Sequence, residues 1–191
     1  MKINSTIFEK NKGLNGGAIY LNKLLHNSLN KLNNSIDIEN TQFIYNSADY
    51  FGGAIYSDFE GLNLSYIDKI YFKFNYAYAG GAIYTNNNRN NNLFNVKSPN
   101  MYFINNTSVS HGPDFATGPY IVNQTLQYIS KNEVSITSGK SFPLQFKLLD
   151  EYEQIIYDTS KYYSNIFLKL TCKDDTKIIG NSCYFTRGIN I

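Results

Sequence analysis

Long apolar runs are missing from this chain. Its 191 residues contain no uninterrupted apolar span of about 18 residues, the length that crossing a bilayer as a helix requires. The segment from Met1 to Lys10 also lacks the apolar stretch of a secretory signal. No direct membrane span is therefore expected within the chain. Charge of one sign is scarce too: 17 basic against 15 acidic residues leave a net charge of +2. The split is even, 9 basic and 8 acidic residues through residue 118, then 8 and 7 beyond it. Nucleic-acid binding leaves a footprint of clustered Lys and Arg. Here the cations are dispersed, so no nucleic-acid partner is expected.

Metal-ligating residues are few. Cys172 and Cys183 are the only cysteines, and His26 and His111 lie far from them in sequence, which does not match a zinc pattern. The ten residues between the two cysteines could join two antiparallel strands. That leaves two readings open, a disulfide suited to an extracellular location or a pair of free thiols. No metal and no cofactor are expected.

What the chain has in quantity is a repeat. Gly16-Gly17-Ala18-Ile19-Tyr20 returns at Gly52 to Tyr56 and again at Gly80 to Tyr84. Each copy is preceded by an aromatic residue and, three places later, an asparagine: Phe8 and Asn11, Phe43 and Asn46, Phe72 and Asn75. A decayed fourth copy follows, in which Phe103 and Asn106 precede His111-Gly112-Pro113-Asp114-Phe115-Ala116. The glycine steps are 36, 28 and 32 residues, a period that points to a solenoid, a propeller or an array.

The local period chooses among these. From Ser35 to Asn46 apolar and polar residues alternate over short runs, as in strands with one buried face. Counterpart runs are Leu62 to Leu64 with Ile70 to Phe72, and Leu93 to Val96 with Met101 to Phe103. Three short strands per unit, one of them the Gly-Gly-Ala-Ile-Tyr segment, describe one coil of a parallel β-helix. Stacked coils lie about 4.8 Å apart, so equivalent side chains form columns. Ile19, Ile55 and Ile83 are expected to fill the interior. Alternation then puts Ala18, Ala54 and Ala82 on the opposite face with Tyr20, Tyr56 and Tyr84. Gly16, Gly52 and Gly80 suit a corner of positive φ, with Gly17, Gly53 and Gly81 beside them. Asn11, Asn46, Asn75 and Asn106 are expected to stack as an amide ladder.

The pairing of Phe-x-x-Asn with Gly-Gly-Ala-Ile resembles the repeats of chlamydial polymorphic outer-membrane proteins and of large ciliate surface proteins. Over roughly residues 1–118 the resemblance implies a right-handed parallel β-helix of about four coils, belonging to a cell-surface or secreted protein and often adhesive. No catalytic residues come with it. The chain begins inside the first repeat unit with no polar cap, which solenoids need at exposed ends. It is therefore expected to be a fragment of a longer membrane-anchored or secreted glycoprotein. Sequons at Asn4, Asn33, Asn63, Asn105, Asn106 and Asn123 agree with that location.

Segments 21–34 and 86–92 read as protruding loops, the second a polar low-complexity run. After Gly118-Pro119 the repeat vanishes. Val134 to Thr137, Leu144 to Leu148 and Ile166 to Cys172 alternate as strands, with turns at Ser138 to Lys140 and Asp150 to Glu153. Residues 119–191 thus read as a small β-sandwich, similar to Ig-like modules that follow β-helical repeats in protist surface proteins, and short of a full seven-strand domain.

The function expected is non-enzymatic: a stalk or an adhesion surface for a protein or glycan ligand not identified by the sequence. The alternatives are a carbohydrate-active, pectate-lyase-like β-helix enzyme and a non-functional gene fragment. An enzyme needs carboxylates converging on one groove or holding calcium. The candidates Asp37, Glu39, Asp49, Asp58, Glu60, Asp68 and Asp114 do not recur in register.

Overall fold

The computed structural model describes residues 2–22, 37–58, 67–86, 100–124, 139–140, 144–163, 165–171, 179–185 and 189–190. The chain divides into two units, Met1–Gly118 and Pro119–Ile191. Among the described residues every regular element is a β-strand.

The first unit is a stack of repeats. Its first repeat supplies β1 (Lys2–Asn4), β2 (Ile7–Glu9), β3 (Lys12–Asn15) and β4 (Ile19–Leu21). The second supplies β5 (Asp37–Glu39), β6 (Gln42–Ile44), β7 (Ser47–Phe51) and β8 (Ile55–Ser57). The third gives β9 (Ile67–Asp68), β10 (Ile70–Lys73), β11 (Tyr76–Ala77) and β12 (Ile83–Thr85). The decayed copy gives β13 (Met101–Ile104), β14 (Thr107–Ser108) and β15 (Phe115–Thr117). Strands of the same kind pair in parallel into four sheets: β1-β5-β9, β2-β6-β10-β13, β3-β7-β11-β14 and β4-β8-β12-β15. This is the parallel stacking of a β-helix.

Register fixes the columns. Phe8, Phe43, Phe72 and Phe103 are successive partners, as are Ile19, Ile55, Ile83 and Phe115. The four Phe rings stack at 4.9, 4.9 and 5.2 Å with interplanar angles of 4, 8 and 11°. Together with Ile38, Ala54, Ile70, Ala82 and Met101 these columns make one core.

Two expectations are corrected. The stretch between each Asn and its glycines is a strand of its own, so a full repeat has four strands rather than three. Alanine does not join tyrosine: Ala54 and Ala82 are fully buried in the isoleucine core, with Ala18 packed against it. The reason is that strict alternation begins only at the isoleucine. Gly53 and Ala54 lie in a bend, and Ala54 N and Ile55 N both donate to Ala82 O, at 2.8 and 2.9 Å, which no regular ladder does. Tyr56 and Tyr84 instead form a second buried cluster with Tyr78, Ala79 and Ala116, with Phe51 packed against it.

Corners are where the chain departs from strand geometry. Gly16, Gly52, Gly80 and Gly112 have φ of 63, 68, 65 and 61°. A Cβ added to Gly53 would lie 2.0 Å from Gly81 O, and one on Gly81 would lie 2.2 Å from Pro113 O, so the second glycine admits the next repeat's backbone. The other corners use ordinary residues in the left-handed region: Ser5, Asn40 and Lys69 at one, Lys10, Tyr45, Phe74 and Asn105 at the next. Each such residue costs about 1 kcal/mol or more. The return is a backbone N–H aimed at the next repeat, as in Lys10 N to Ile44 O (3.0 Å), Tyr45 N to Lys73 O (3.0 Å) and Phe74 N to Ile104 O (2.9 Å).

In the second unit, β16 (Ile121–Gln124), β17 (Phe146–Leu149) and β20 (Ile189–Asn190) form an antiparallel sheet, and β18 (Phe167–Lys169) pairs with β19 (Ser182–Tyr184). The turn after β17 is organised by the buried carboxylate of Asp150, which accepts from Tyr152 N, Gln154 N and Gln154 Nε2, each at 2.9 Å. Val134 to Thr137 falls outside the described residues.

Candidate binding surface

The residues singled out by the repeat lie inside the stack. Asn11 N and Nδ2 donate to Asn46 Oδ1 at 3.0 and 2.9 Å, Asn46 N and Nδ2 to Asn75 Oδ1 at 2.9 and 3.0 Å, and Asn75 N and Nδ2 to Asn106 Oδ1 at 3.0 and 2.9 Å. The second proton of each amide points the other way, from Asn46 to Phe8 O, from Asn75 to Phe43 O and from Asn106 to Phe72 O. Asn46 and Asn75 are fully buried. A buried amide is tolerated only when its donors and acceptors are met. Here the column meets them because every neighbour is the same residue at the same corner. Gly16, Gly17, Ile19 and their counterparts Gly52, Gly53, Ile55, Gly80, Gly81 and Ile83 are likewise packing and turn positions, remote from reactive chemistry.

The outer surface is a different matter. Outward positions of the second sheet align as Ile7, Gln42, Tyr71 and Tyr102, then Glu9, Ile44, Lys73 and Ile104. Tyr71 and Tyr102 stack at 4.8 Å, and Lys73 Nζ sits 4.9 Å above the Tyr71 ring while donating to Gln42 Oε1 at 3.1 Å. At the adjoining corner Tyr45 stacks on Phe74 at 5.0 Å. Tyr45, Phe74, Tyr76 and Tyr102 are 51, 40, 47 and 43% exposed. A run of large, half-exposed aromatic side chains along one edge of a rigid stack is the kind of surface that binds partners. The Asn of each motif does not mark this surface. The signal was one place earlier, where Tyr45 and Phe74 precede Asn46 and Asn75.

One expectation about the carboxylates is corrected: Glu39 and Asp68 are in register, partners on the adjacent strands β5 and β9, whereas Asp58 and Asp114 are engaged elsewhere. Glu39 pairs with Lys2 at 3.4 Å, both Asp58 oxygens accept from the Tyr56 hydroxyl at 3.0 Å, and Asp114 Oδ1 accepts from Asn106 Nδ2 at 3.0 Å. Among the described residues no three His, Cys, Asp or Glu side chains form a metal-binding group. Glu60 lies outside them. His111 is buried, its ring nitrogens 3.0 Å from Ser110 Oγ and from Thr117 O.

Of the sequons, Asn4 and Asn105 are exposed. Asn106 is corrected: it is buried, and its Nδ2, where a glycan would attach, is committed to Phe72 O and Asp114. Asn123 lies in β16, and Asn33 and Asn63 fall outside the described residues, as do most of the two expected loops. Cys183 is a half-buried free thiol 3.9 Å from Leu168 O. Its expected partner Cys172 also lies outside the described residues.

The fixed spacing of Phe, Asn and the glycine pair in these columns is what a family comparison can detect. Residues 5–22 and 40–58 match the Chlamydia polymorphic membrane protein repeat. The two matched segments are the first two repeats. The third repeat and the decayed copy, which lie outside the matched residues, continue the same columns in register. Neither a curated protein nor a solved structure matches the chain. A likeness to this repeat points toward surface proteins.

Proposed function

We propose that residues 1–118 form a right-handed parallel β-helix of about four coils that serves as a rigid, non-enzymatic element of a cell-surface or secreted protein. Its task is to hold a binding face away from the surface. Residues 119–191 would be part of an Ig-like sandwich in the same surface protein. The single observation that carries this reading is the unbroken Asn11–Asn46–Asn75–Asn106 column inside a stack of polymorphic-membrane-protein-type repeats. Its buried hydrogen bonds specify a straight, stiff scaffold, and rigid scaffolds suit presentation of a surface.

The face presented is the aromatic edge of Tyr45, Phe74, Tyr76 and Tyr102, and its ligand is a protein or a glycan. A carbohydrate-active enzyme would instead need carboxylates meeting in one groove. Glu39, Asp58 and Asp114 are each engaged by a different neighbour, on different elements.

Two measurements test the proposal. An antibody against the 191-residue chain should label intact cells of the source organism, and labelling confined to permeabilised cells would overturn the surface assignment. Beads coated with the chain should bind intact host or partner cells, and the combined Tyr45→Ser, Phe74→Ser and Tyr76→Ser variant should lose that binding while keeping its melting transition. Equal binding by the variant would remove the aromatic edge from the account.

A further inference from the structure

Two acceptor sequences for N-linked glycosylation overlap in the decayed copy, Asn105-Asn106-Thr107 and Asn106-Thr107-Ser108. The fold separates them. We infer that Asn105 carries an N-linked glycan whose first sugar seats on the Phe74 ring, while Asn106 stays bare in the folded chain. This rests on the secreted or surface reading above, because the sugar donor is met along the secretory route.

Asn105 stands at the corner between β13 and β14. Its φ is 51°, and the corresponding residues of the other repeats, Lys10, Tyr45 and Phe74, have φ of 53, 54 and 55°. Asparagine tolerates this left-handed region better than most residues. All four side chains at the corner are exposed. Among the described residues nothing bonds to the Asn105 side chain, so its Nδ2 is open to a sugar, and Thr107, the hydroxyl residue of its sequon, is exposed as well. Asn106 lies one place further on and inside the stack, 5% exposed, with its Nδ2 donating to Phe72 O and Asp114 Oδ1. A sugar there would break the amide ladder.

Asn4 is also exposed, but its neighbours differ. It aligns with Glu39 and then Asp68, and its Oδ1 accepts from Ser5 Oγ at 3.0 Å. Asn105 instead follows Ile104 as Phe74 follows Lys73, the register partner of Ile104. One strand spacing of about 4.8 Å therefore separates Asn105 from Phe74 along the column. Tyr45 stacks on one face of the Phe74 ring at 5.0 Å. Among the described residues no ring covers the other face, which looks toward the decayed copy and Asn105. The C–H face of a pyranose packs well on the negative face of an aromatic ring.

The transfer forms a bond from Asn105 Nδ2 to C1 of N-acetylglucosamine and breaks the C1–O bond of a lipid-diphosphate-linked oligosaccharide. The lipid diphosphate leaves with the electron pair, and one amide proton is released. The sugar takes the uncovered face of Phe74 and leaves Tyr45 and Tyr76 on the aromatic edge for a partner.

Peptide mapping of the protein taken from its source organism, after peptide-N-glycosidase treatment in heavy-oxygen water, should place the label at Asn105 and none at Asn106. A bare Asn105 on protein that antibodies reach on intact cells overturns this inference and spares the surface reading. A bare Asn105 on protein reached only in permeabilised cells overturns both. The seat is tested on the 191-residue chain secreted by a eukaryotic host in a background of Asn4→Gln, Asn33→Gln, Asn63→Gln and Asn123→Gln. Trimmed to one N-acetylglucosamine, it should melt about 3 °C above the same chain after peptide-N-glycosidase removes the sugar. In Phe74→Ser, and in Phe74→Leu, which keeps bulk without the flat ring, that difference should vanish. No difference in the parent, or an equal one in both variants, overturns the seat. Sugar on Asn106 of a cooperatively melting chain overturns the separation of the two asparagines.

Discussion

Asn106 Nδ2 donates to Asp114 Oδ1 at 3.0 Å, so a column of amides that began at Asn11 ends on a carboxylate. Asp114 thereby does for the last asparagine what the next asparagine does for each of the others. Asp114→Asn keeps an oxygen acceptor in place, and its unfolding free energy should stay within about 0.5 kcal/mol of the parent. Asp114→Leu leaves one buried amide proton unpaired and should cost about 2 kcal/mol. Urea unfolding of the two variants side by side gives the comparison, and equal losses would show that Asp114 does not terminate the ladder.

Position along the column should set the cost of losing an amide. Asn75→Leu removes an acceptor used by Asn46 and a donor used by Asn106 and Phe43, all buried. It should destabilise by about 3 kcal/mol, since several buried groups lose partners together. Asn11→Leu, exposed in the first repeat, should cost about 1 kcal/mol. Denaturant midpoints check the ranking.

Glycines of the two kinds should respond differently. In Gly53→Ala the new methyl would meet backbone oxygens of Gly81 at 2.0 Å and Tyr76 at 2.6 Å, neither of which can move without parting the repeats. A loss of about 4 kcal/mol or failure to fold is expected. Gly180→Ala has φ of 73° but nothing within 4 Å, so it should cost only about 1 kcal/mol of backbone strain. Thermal melts of both proteins separate close approach from torsional strain.

Those contrasts also show what could be read beforehand. Phe-x-x-Asn and Gly-Gly announced themselves because each is a position where one residue type solves a stacking problem: a flat ring, a two-way amide, a missing Cβ. The fourth strand was not legible, since Lys12–Asn15, Ser47–Phe51 and Tyr76–Ala77 share no motif and are held by neighbours rather than by their own pattern. The left-handed corners were hidden for the same reason, because Lys10, Tyr45, Phe74 and Asn105 have little in common as residues. Tyr56 and Tyr84 alternate outward from isoleucine as expected, yet are buried, because Phe51 and Tyr78 from the neighbouring sheet's end fold over them. Period alone does not tell a solvated outer face from one that another strand covers. Beyond residue 118 the strands Phe146–Leu149 and Phe167–Lys169 were legible by alternation, while the carboxylate-centred turn at Asp150 was visible only as polar composition.

The exposed aromatics should matter little for stability. Tyr45→Ser removes a half-exposed ring whose stacking on Phe74 is worth about 1 kcal/mol, whereas Phe43→Ser, in the buried column, should prevent cooperative unfolding altogether. Far-UV circular dichroism melts distinguish the two.

Registry of the repeats can be tested by cross-linking. In a background of Cys172→Ser and Cys183→Ser, the pair Tyr71→Cys and Tyr102→Cys places two thiols on register partners of adjacent parallel strands. Their backbones are about 4.8 Å apart, within disulfide reach. Tyr71→Cys with Ile104→Cys is offset by two residues along the strand and falls outside that reach. Mild oxidation followed by non-reducing electrophoresis and mass mapping should give near-complete bridging of 71 to 102 and little of 71 to 104. Equal bridging of both pairs, or none of either in a folded chain, would contradict the vertical registry on which the Phe, Ile and Asn ladders all depend.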